Sequence, residues 1–171
     1  MRLPPVDIYR APFVLPLGHL TMQAAYADLE LIGLCAIVPF EGSDLQMQGV
    51  EVAARLRNWG PSTVEFVVQR LLMIGDENIR SQAMEAFQRF QFLREQRHRM
   101  IHDAIELGLF EEPGGYEVGA LQVQYIKAGK GNSVRQLERV SPEAIAALAC
   151  EFYELHKDLD AVVYGLRVRD A

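Results

Sequence analysis

Through most of this 171-residue chain apolar residues recur at intervals of three and four, and the pattern changes to alternation only once, between Val118 and Val140. Three-and-four spacing lets a helix bury one face, whereas alternation suits a strand. The pattern therefore predicts a mainly α fold, an antiparallel helical bundle carrying one inserted β-hairpin.

Five helices are legible. The first spans 19–38, with Leu20, Ala24, Ala27, Leu31, Leu34 and Val38 on its apolar side, and is ended by Pro39 and Gly42. Ser43 or Asp44 suits the cap of a shorter second helix through Val50, Ala53, Ala54 and Leu56, broken by Asn58-Trp59-Gly60-Pro61. Ser62 suits the cap of a third helix over 64–74, closed by Gly75-Asp76. The fourth and longest is expected over 77–109, with Ala83, Phe87, Phe90, Leu93, Ile101, Ala104 and Ile105 on one stripe, stopping before Pro113-Gly114-Gly115. The hairpin follows over 118–140, turning at Gly129-Lys130-Gly131-Asn132. Two strands alone are marginal in water, so they must pack on helices. Ser141-Pro142-Glu143 then supplies a cap, a first-position proline and a first-turn acid for the last helix, which carries Ile145, Leu148, Ala149, Phe152, Leu155, Leu159 and Val162. Neither a repeat nor a composition shift marks a linker, so 1–171 reads as one domain.

Residues 1–18 carry Pro4, Pro5, Pro12 and Pro16 and read as an extended N-terminal arm, unlike a signal peptide. The longest apolar run, 20–38, contains Gln23, Asp28 and Glu30, which suits a buried helix better than a bilayer span, so a cytoplasmic protein with no membrane partner is expected. Cys35 and Cys150 fall in apolar helical patterns with no disulfide framework and read as two buried small hydrophobes. Acidic residues outnumber basic ones 23 to 17, a formal charge of −6, which excludes a surface built throughout to hold nucleic acid. Any such contact must be local.

One stretch meets that condition. Arg89, Arg94, Arg97, His98, Arg99 and His102 stand against a single acid, Glu95. Phe90, Leu93, Arg97, Ile101 and Ala104 follow helical spacing, so Arg97 fills a slot where a hydrophobe is expected. A charge there requires either an acid from a facing helix, such as Glu30 or Glu65, or an interface with a polar cleft. On a helix Arg97 and His102 lie about 140° apart and His98 and His102 about 40° apart, so Arg97 and His102 can flank a cleft. The ordinary alternative for His98 and His102 is a solvated helix face.

The segment Arg97-His98-Arg99-Met100-Ile101-His102 resembles the R-x4-H motif of the HEPN superfamily, with a polar residue after the Arg and an aliphatic one before the His. The likeness extends to an apolar first helix beginning Gly18-His19-Leu20-Thr21, a motif near the end of a late long helix, and a closing helix; the hairpin has no place in it. The resemblance implies a metal-independent endoribonuclease, active as a homodimer whose motif helices form one composite cleft on RNA. It implies catalytic roles for Arg97 and His102, with His98 as orienting group or second proton carrier, RNA contacts from Arg94 and Arg99, no cofactor and no metal. A toxin or defence role would add an antitoxin protein as partner. In the branch controlled by a nucleotidyltransferase a Tyr stands two places after the His, where this chain has Ala104, and the Asn that often follows the motif Arg is here His98.

The residue types suit that chemistry. Histidine, with an unperturbed pKa near 6.5, can take or give a proton, and arginine forks onto phosphate oxygens at any pH. Two further readings use the same helix. His98 and His102 at i and i+4 could bind zinc with His19 or His156, but Arg99 stands where H-E-x-x-H has its Glu. A non-catalytic dimeric regulator, or a nucleotide- or RNA-binding accessory protein, keeps the fold without the reaction.

Overall fold

A computed structural model describes residues 8–38, 49–102, 104–127 and 133–169. The elements are α1 (Ala11–Ile37), α2 (Gly49–Arg57), α3 (Pro61–Leu72), α4 (Glu77–His102), β1 (Ala104–Glu112), β2 (Gly115–Lys127), β3 (Ser133–Val140) and α5 (Pro142–Arg169). The protein is mainly helical with one small antiparallel sheet. Its residues group into two compact units: Met1–Met22 with Arg94–Cys150, and Gln23–Leu93 with Glu151–Ala171.

The first unit contains the sheet, whose strand order is β1-β2-β3. The expected hairpin is present as β2 and β3, with Ala120 opposite Val140 and Lys127 opposite Ser133, while its turn residues 129–132 lie outside the described residues. The sheet also holds a strand that the helical reading missed. The fourth helix does not continue to residue 109; α4 stops at His102 and Ala104–Glu112 pairs antiparallel with β2, from Ala104 opposite Val123 to Glu112 opposite Gly115. The physical reason is visible in Ile105-Glu106-Leu107-Gly108-Leu109, a period-two run that also satisfies a loose helical count. Pro113-Gly114 closes the β1–β2 turn, and Gly114 has φ of 123°, a conformation open to glycine at little cost. At Gly119 a Cβ would sit 2.7 Å from the Phe110 ring, so the aromatic side chain covers the bare backbone, and the Arg139 guanidinium lies 4.6 Å above the same ring.

Helix starts follow local chemistry. The Ser141 hydroxyl accepts from the Ala144 N–H at 3.1 Å, and Pro142 occupies the first helical position of α5. Glu143 in that first turn has its carboxyl held below the usual carboxylate range by its own backbone N–H and by Ser141. Asp76 caps α4 by accepting from the N–H groups of Asn78 and Ile79, both at 2.9 Å. Ser62 does not cap α3: the helix begins at Pro61 with Gly60 as cap, a proline tolerated where the first N–H groups have no acceptor. The N-terminal arm is corrected too, by that principle at Pro12 but not at Pro16, which lies inside the helix and forgoes one backbone hydrogen bond there. Residues 11–18 belong to α1, with Pro12 in the first turn and Pro16 in the second, while 1–7 lie outside the described residues. Ser43 and Asp44, the expected caps of α2, lie outside them as well.

The second unit holds most of the core. Ala24, Ala27, Leu31 and Leu34 of α1, Val67 and Leu71 of α3, Ala83, Phe87 and Phe90 of α4, and Phe152, Leu155 and Leu159 of α5 are buried. Trp59, between α2 and α3, lies 5.4 Å from the Phe90 ring and 6.2 Å from Phe87, forming an aromatic cluster on α4. Cys35 is buried as expected, but Cys150 is exposed, because it sits off the buried stripe marked by Ala149 and Phe152. Among the described residues one helix, α1, is long and apolar enough to cross a membrane, with mean hydropathy 1.3 over its most apolar stretch and 33% of that stretch buried in the protein.

Candidate functional site

The basic run lies on the last turns of α4, and the structure separates its members. Arg89 is withdrawn from it: Nη2 donates to Glu151 Oε2 at 2.7 Å and Nη1 to Asp158 Oδ2 at 3.0 Å, tying α4 to α5 within the second unit. Arg99 donates to Glu95 Oε1 at 2.8 Å, an exposed i,i+4 pair that occupies it on a solvated helix face. Arg94 is half-buried and His98 exposed, and each has an interacting neighbour.

Arg97 differs from all of these. Phe90 and Leu93 on its stripe are buried, Arg97 and Ile101 are half-buried, and Ala104 has passed into β1. The Nε of Arg97 is buried and has no acceptor among the described residues. Of the two acids weighed as facing partners, Glu30 lies 3.9 Å from Nε2 of His156 within the second unit. A guanidinium N–H removed from water without a partner is costly, and a built site for an anion is one circumstance in which such a group is retained. His102 is the last residue of α4, and its side chain lies outside what is described. The helix C-terminus carries partial negative charge from its unpaired carbonyls, a setting that favours the cationic side chains gathered there.

His156, the other histidine weighed as a metal ligand with His19, stacks obliquely on Tyr26 at 5.6 Å, and its Nδ1 is buried without a hydrogen-bond partner among the described residues. His19 is exposed on α1. Among the described residues no three His, Cys, Asp or Glu side chains gather at one point.

A buried cation of another kind escaped the sequence reading. Arg70 of α3 is fully buried, with Nη1 donating to the carbonyl of Val38 just past the end of α1, and with its guanidinium 5.7 Å from the Phe66 ring. Burial lowers its pKa, the neighbouring Cys35 pulls it back up and Arg55 lowers it further. Burial pushes the Cys35 thiol up to about 12, with the Arg70 charge opposing. This cluster satisfies a carbonyl near a helix end, a structural task. Its signal was present: Arg70 interrupts the apolar side of α3 between Val67 and Leu71. Two surface clefts, of about 270 Å³ beside Arg89 and Asp158 and about 350 Å³ between Phe13, Arg139 and Glu143, contain none of the motif residues.

No protein-family model, no curated protein and no solved structure matches the chain. The functional reading therefore rests on the site's own chemistry and on the motif resemblance.

Proposed function

We propose that this chain is a HEPN-type endoribonuclease that cleaves RNA without a metal, through the end of α4. The observation that carries the reading is Arg97: a half-buried arginine in an apolar slot, its Nε buried without an acceptor among the described residues, five positions before a histidine that ends the helix. A HEPN-like antiparallel bundle and a homodimer with a composite cleft belong to the same reading.

Cleavage without metal needs a base for the ribose 2′-OH, an acid for the departing 5′-oxygen, and a cation on the phosphorane oxygens. Arg97 forks onto two phosphate oxygens and stabilises the charge that develops there. His102 moves the proton, as base for the 2′-OH or acid for the 5′-oxygen, and His98, about 40° away on the helix, orients it or takes the complementary role. Attack by the 2′-oxygen on phosphorus breaks the bond to the 5′-oxygen, leaving a 2′,3′-cyclic phosphate and a 5′-hydroxyl. Arg94 and Arg99 serve as RNA contacts, Arg99 by exchanging Glu95 for phosphate. That Glu95 pair also favours a second reading, a non-catalytic RNA- or nucleotide-binding accessory protein, because it gives one member of the basic run an ordinary structural role.

The test is incubation of a mixed-sequence RNA with wild-type protein and with Arg97→Ala and His102→Ala, all in EDTA. Cleavage by wild type that both substitutions abolish, with unchanged helical circular dichroism, supports the proposal. Equal cleavage by all three preparations overturns it. Binding without cleavage moves the assignment to the accessory role.

A further inference from the structure

The cleft of about 350 Å³ lies wholly within the first unit, bounded by the start of α1, by β2 and β3, and by the start of α5. The chain's first described residues contribute two aromatic rings to it: Tyr9, just before α1 and 51% exposed, and Phe13, half-buried in the first turn. The sheet and the last helix contribute one charge of each sign, Arg139 near the end of β3 and Glu143 in the first turn of α5. A volume at the lower end of the range for ligand pockets holds one small ring system with its substituents.

Both charges are held in place. The Arg139 guanidinium sits over Phe110, and a Cβ at Gly119 would lie 3.4 Å from its Nε as well as against the ring, so the bare backbone makes room for both. The Glu143 carboxylate accepts from its own backbone N–H and from Ser141. An ionised carboxylate has about four lone-pair sites, so two remain to be used. The same carboxylate answers the partial positive charge at the start of α5 and repels an anion from it. The cleft therefore suits a net-neutral planar group that stacks on an aromatic ring, brings two adjacent donors to Glu143 and presents acceptors to Arg139. Guanine has that pattern, with N1–H and N2–H side by side and with O6 and N7, the pair that arginine forks onto, on the next edge. Adenine, cytosine and uracil have no two adjacent donor groups. An amino-acid zwitterion is also neutral, but its ammonium carries three donors for the two sites left on Glu143.

We infer that this cleft is a guanine-binding pocket, with the base stacked against Tyr9 and Phe13, its donor edge on Glu143 and its O6 and N7 on Arg139. As a subsite for RNA the pocket rests on the ribonuclease reading; as a guanine site it does not. His102 precedes β1 by one residue, Ala104 lies opposite Val123, and Gly119 is four residues along β2 from Val123, about 14 Å at the rise of a strand. That distance spans a few nucleotides at ~3.4 Å or more each. The guanine selected accordingly stands at a fixed offset from the cut bond, not beside it.

Isothermal titration of the full chain with guanosine, inosine and adenosine tests the pocket apart from the reaction. Wild type should bind guanosine about tenfold or more tighter than adenosine and than inosine, which lacks the 2-amino group. Glu143→Gln should erase the difference between guanosine and inosine, and Tyr9→Ala, an exposed position, should weaken both alike, with helical circular dichroism unchanged in each. Failure to bind any nucleoside, equal binding of all three, an unchanged preference in Glu143→Gln, or binding of free phenylalanine in their place each overturns the pocket. Guanosine binding with no cleavage of any RNA leaves the pocket standing and moves the chain to the accessory role. Cleavage of RNA with no guanosine binding removes the pocket and leaves the ribonuclease. Where both occur, sequenced products of a mixed RNA should carry guanine at one constant offset from the cut, a preference that Arg139→Met abolishes, and cuts indifferent to guanine overturn the subsite.

Discussion

Replacing Arg97 with methionine should make the protein more stable while removing its activity. The side chain lies on the α4 stripe that buries Phe90 and Leu93, with Ile101 half-buried one turn further on. Its Nε is buried without an acceptor among the described residues. A buried donor left unsatisfied costs about 1–3 kcal/mol. Arg97 is only half-buried, so its outer atoms retain water, and the lower end of that range applies. Methionine has similar reach, a good helix propensity and no polar hydrogen to satisfy. Arg97→Met should therefore gain about 1 kcal/mol, which for a chain of this size raises Tm by roughly 2–4 °C. Urea and thermal unfolding followed by circular dichroism measure it, with Arg99→Met as control. That control should shift by no more than about 0.5 kcal/mol, the worth of an exposed i,i+4 pair. A loss of 1 kcal/mol or more in Arg97→Met, on that same scale of a satisfied hydrogen bond, would mean that the guanidinium anchors the fold, and the argument that it is held for a phosphate would fail.

Three further outcomes concern the frame that carries the site. Phe90→Ala removes a ring packed against Trp59 and should cost about 3–5 kcal/mol in urea unfolding, so a change under ~1 kcal/mol would contradict the aromatic cluster. Ser141→Ala removes the α5 cap and should cost about 1 kcal/mol, with Ser141→Asp restoring most of it. Of the two thiols, Cys150 should react with a disulfide reagent at once and Cys35 only on unfolding. Because the folded Cys35 pKa is raised, its contribution to stability is complete below the unfolded value of 9.0 and is lost as pH rises toward about 12. Wild type should thus lose more stability across that window than Cys35→Ala, and identical alkaline slopes would refute the buried thiol.

The helices were legible wherever one face is buried throughout. Leu20 to Val38, Phe87, Phe90 and the stripe from Ile145 to Leu159 lie where the three-and-four spacing places them. Caps were legible where a side chain performs the capping, as at Ser141, and not where backbone does, as at Gly60 before Pro61. Prolines misled at α1, since Pro12 falls in the first turn where a helix start tolerates it and the apolar helix accommodates Pro16 inside it. β1 was missed because a strand that follows a helix after one residue continues its apolar count, and only the alternation Ile105, Leu107, Leu109 distinguishes it. For the site, the out-of-pattern arginine could be seen in the sequence, but its want of an acceptor could not. That property depends on what the rest of the chain brings near Nε, which no spacing along α4 contains. Conversely, nothing in the sequence withdraws Arg89 from the basic run, and only its tertiary contacts with Glu151 and Asp158 do so.

The central claim is a reaction, and its most direct measurement is the chemistry of the product ends. An all-RNA oligonucleotide and its counterpart with one 2′-deoxyribose at the cut site are incubated with the protein in EDTA near neutral pH, where one imidazole as base and another as acid give the greatest rate. Mass spectrometry then reads the fragments. The account predicts a 2′,3′-cyclic phosphate and a 5′-hydroxyl from the RNA and no scission at the deoxy position. Fragments bearing 5′-phosphates, or cleavage of the deoxy-substituted strand at the same bond, would contradict it.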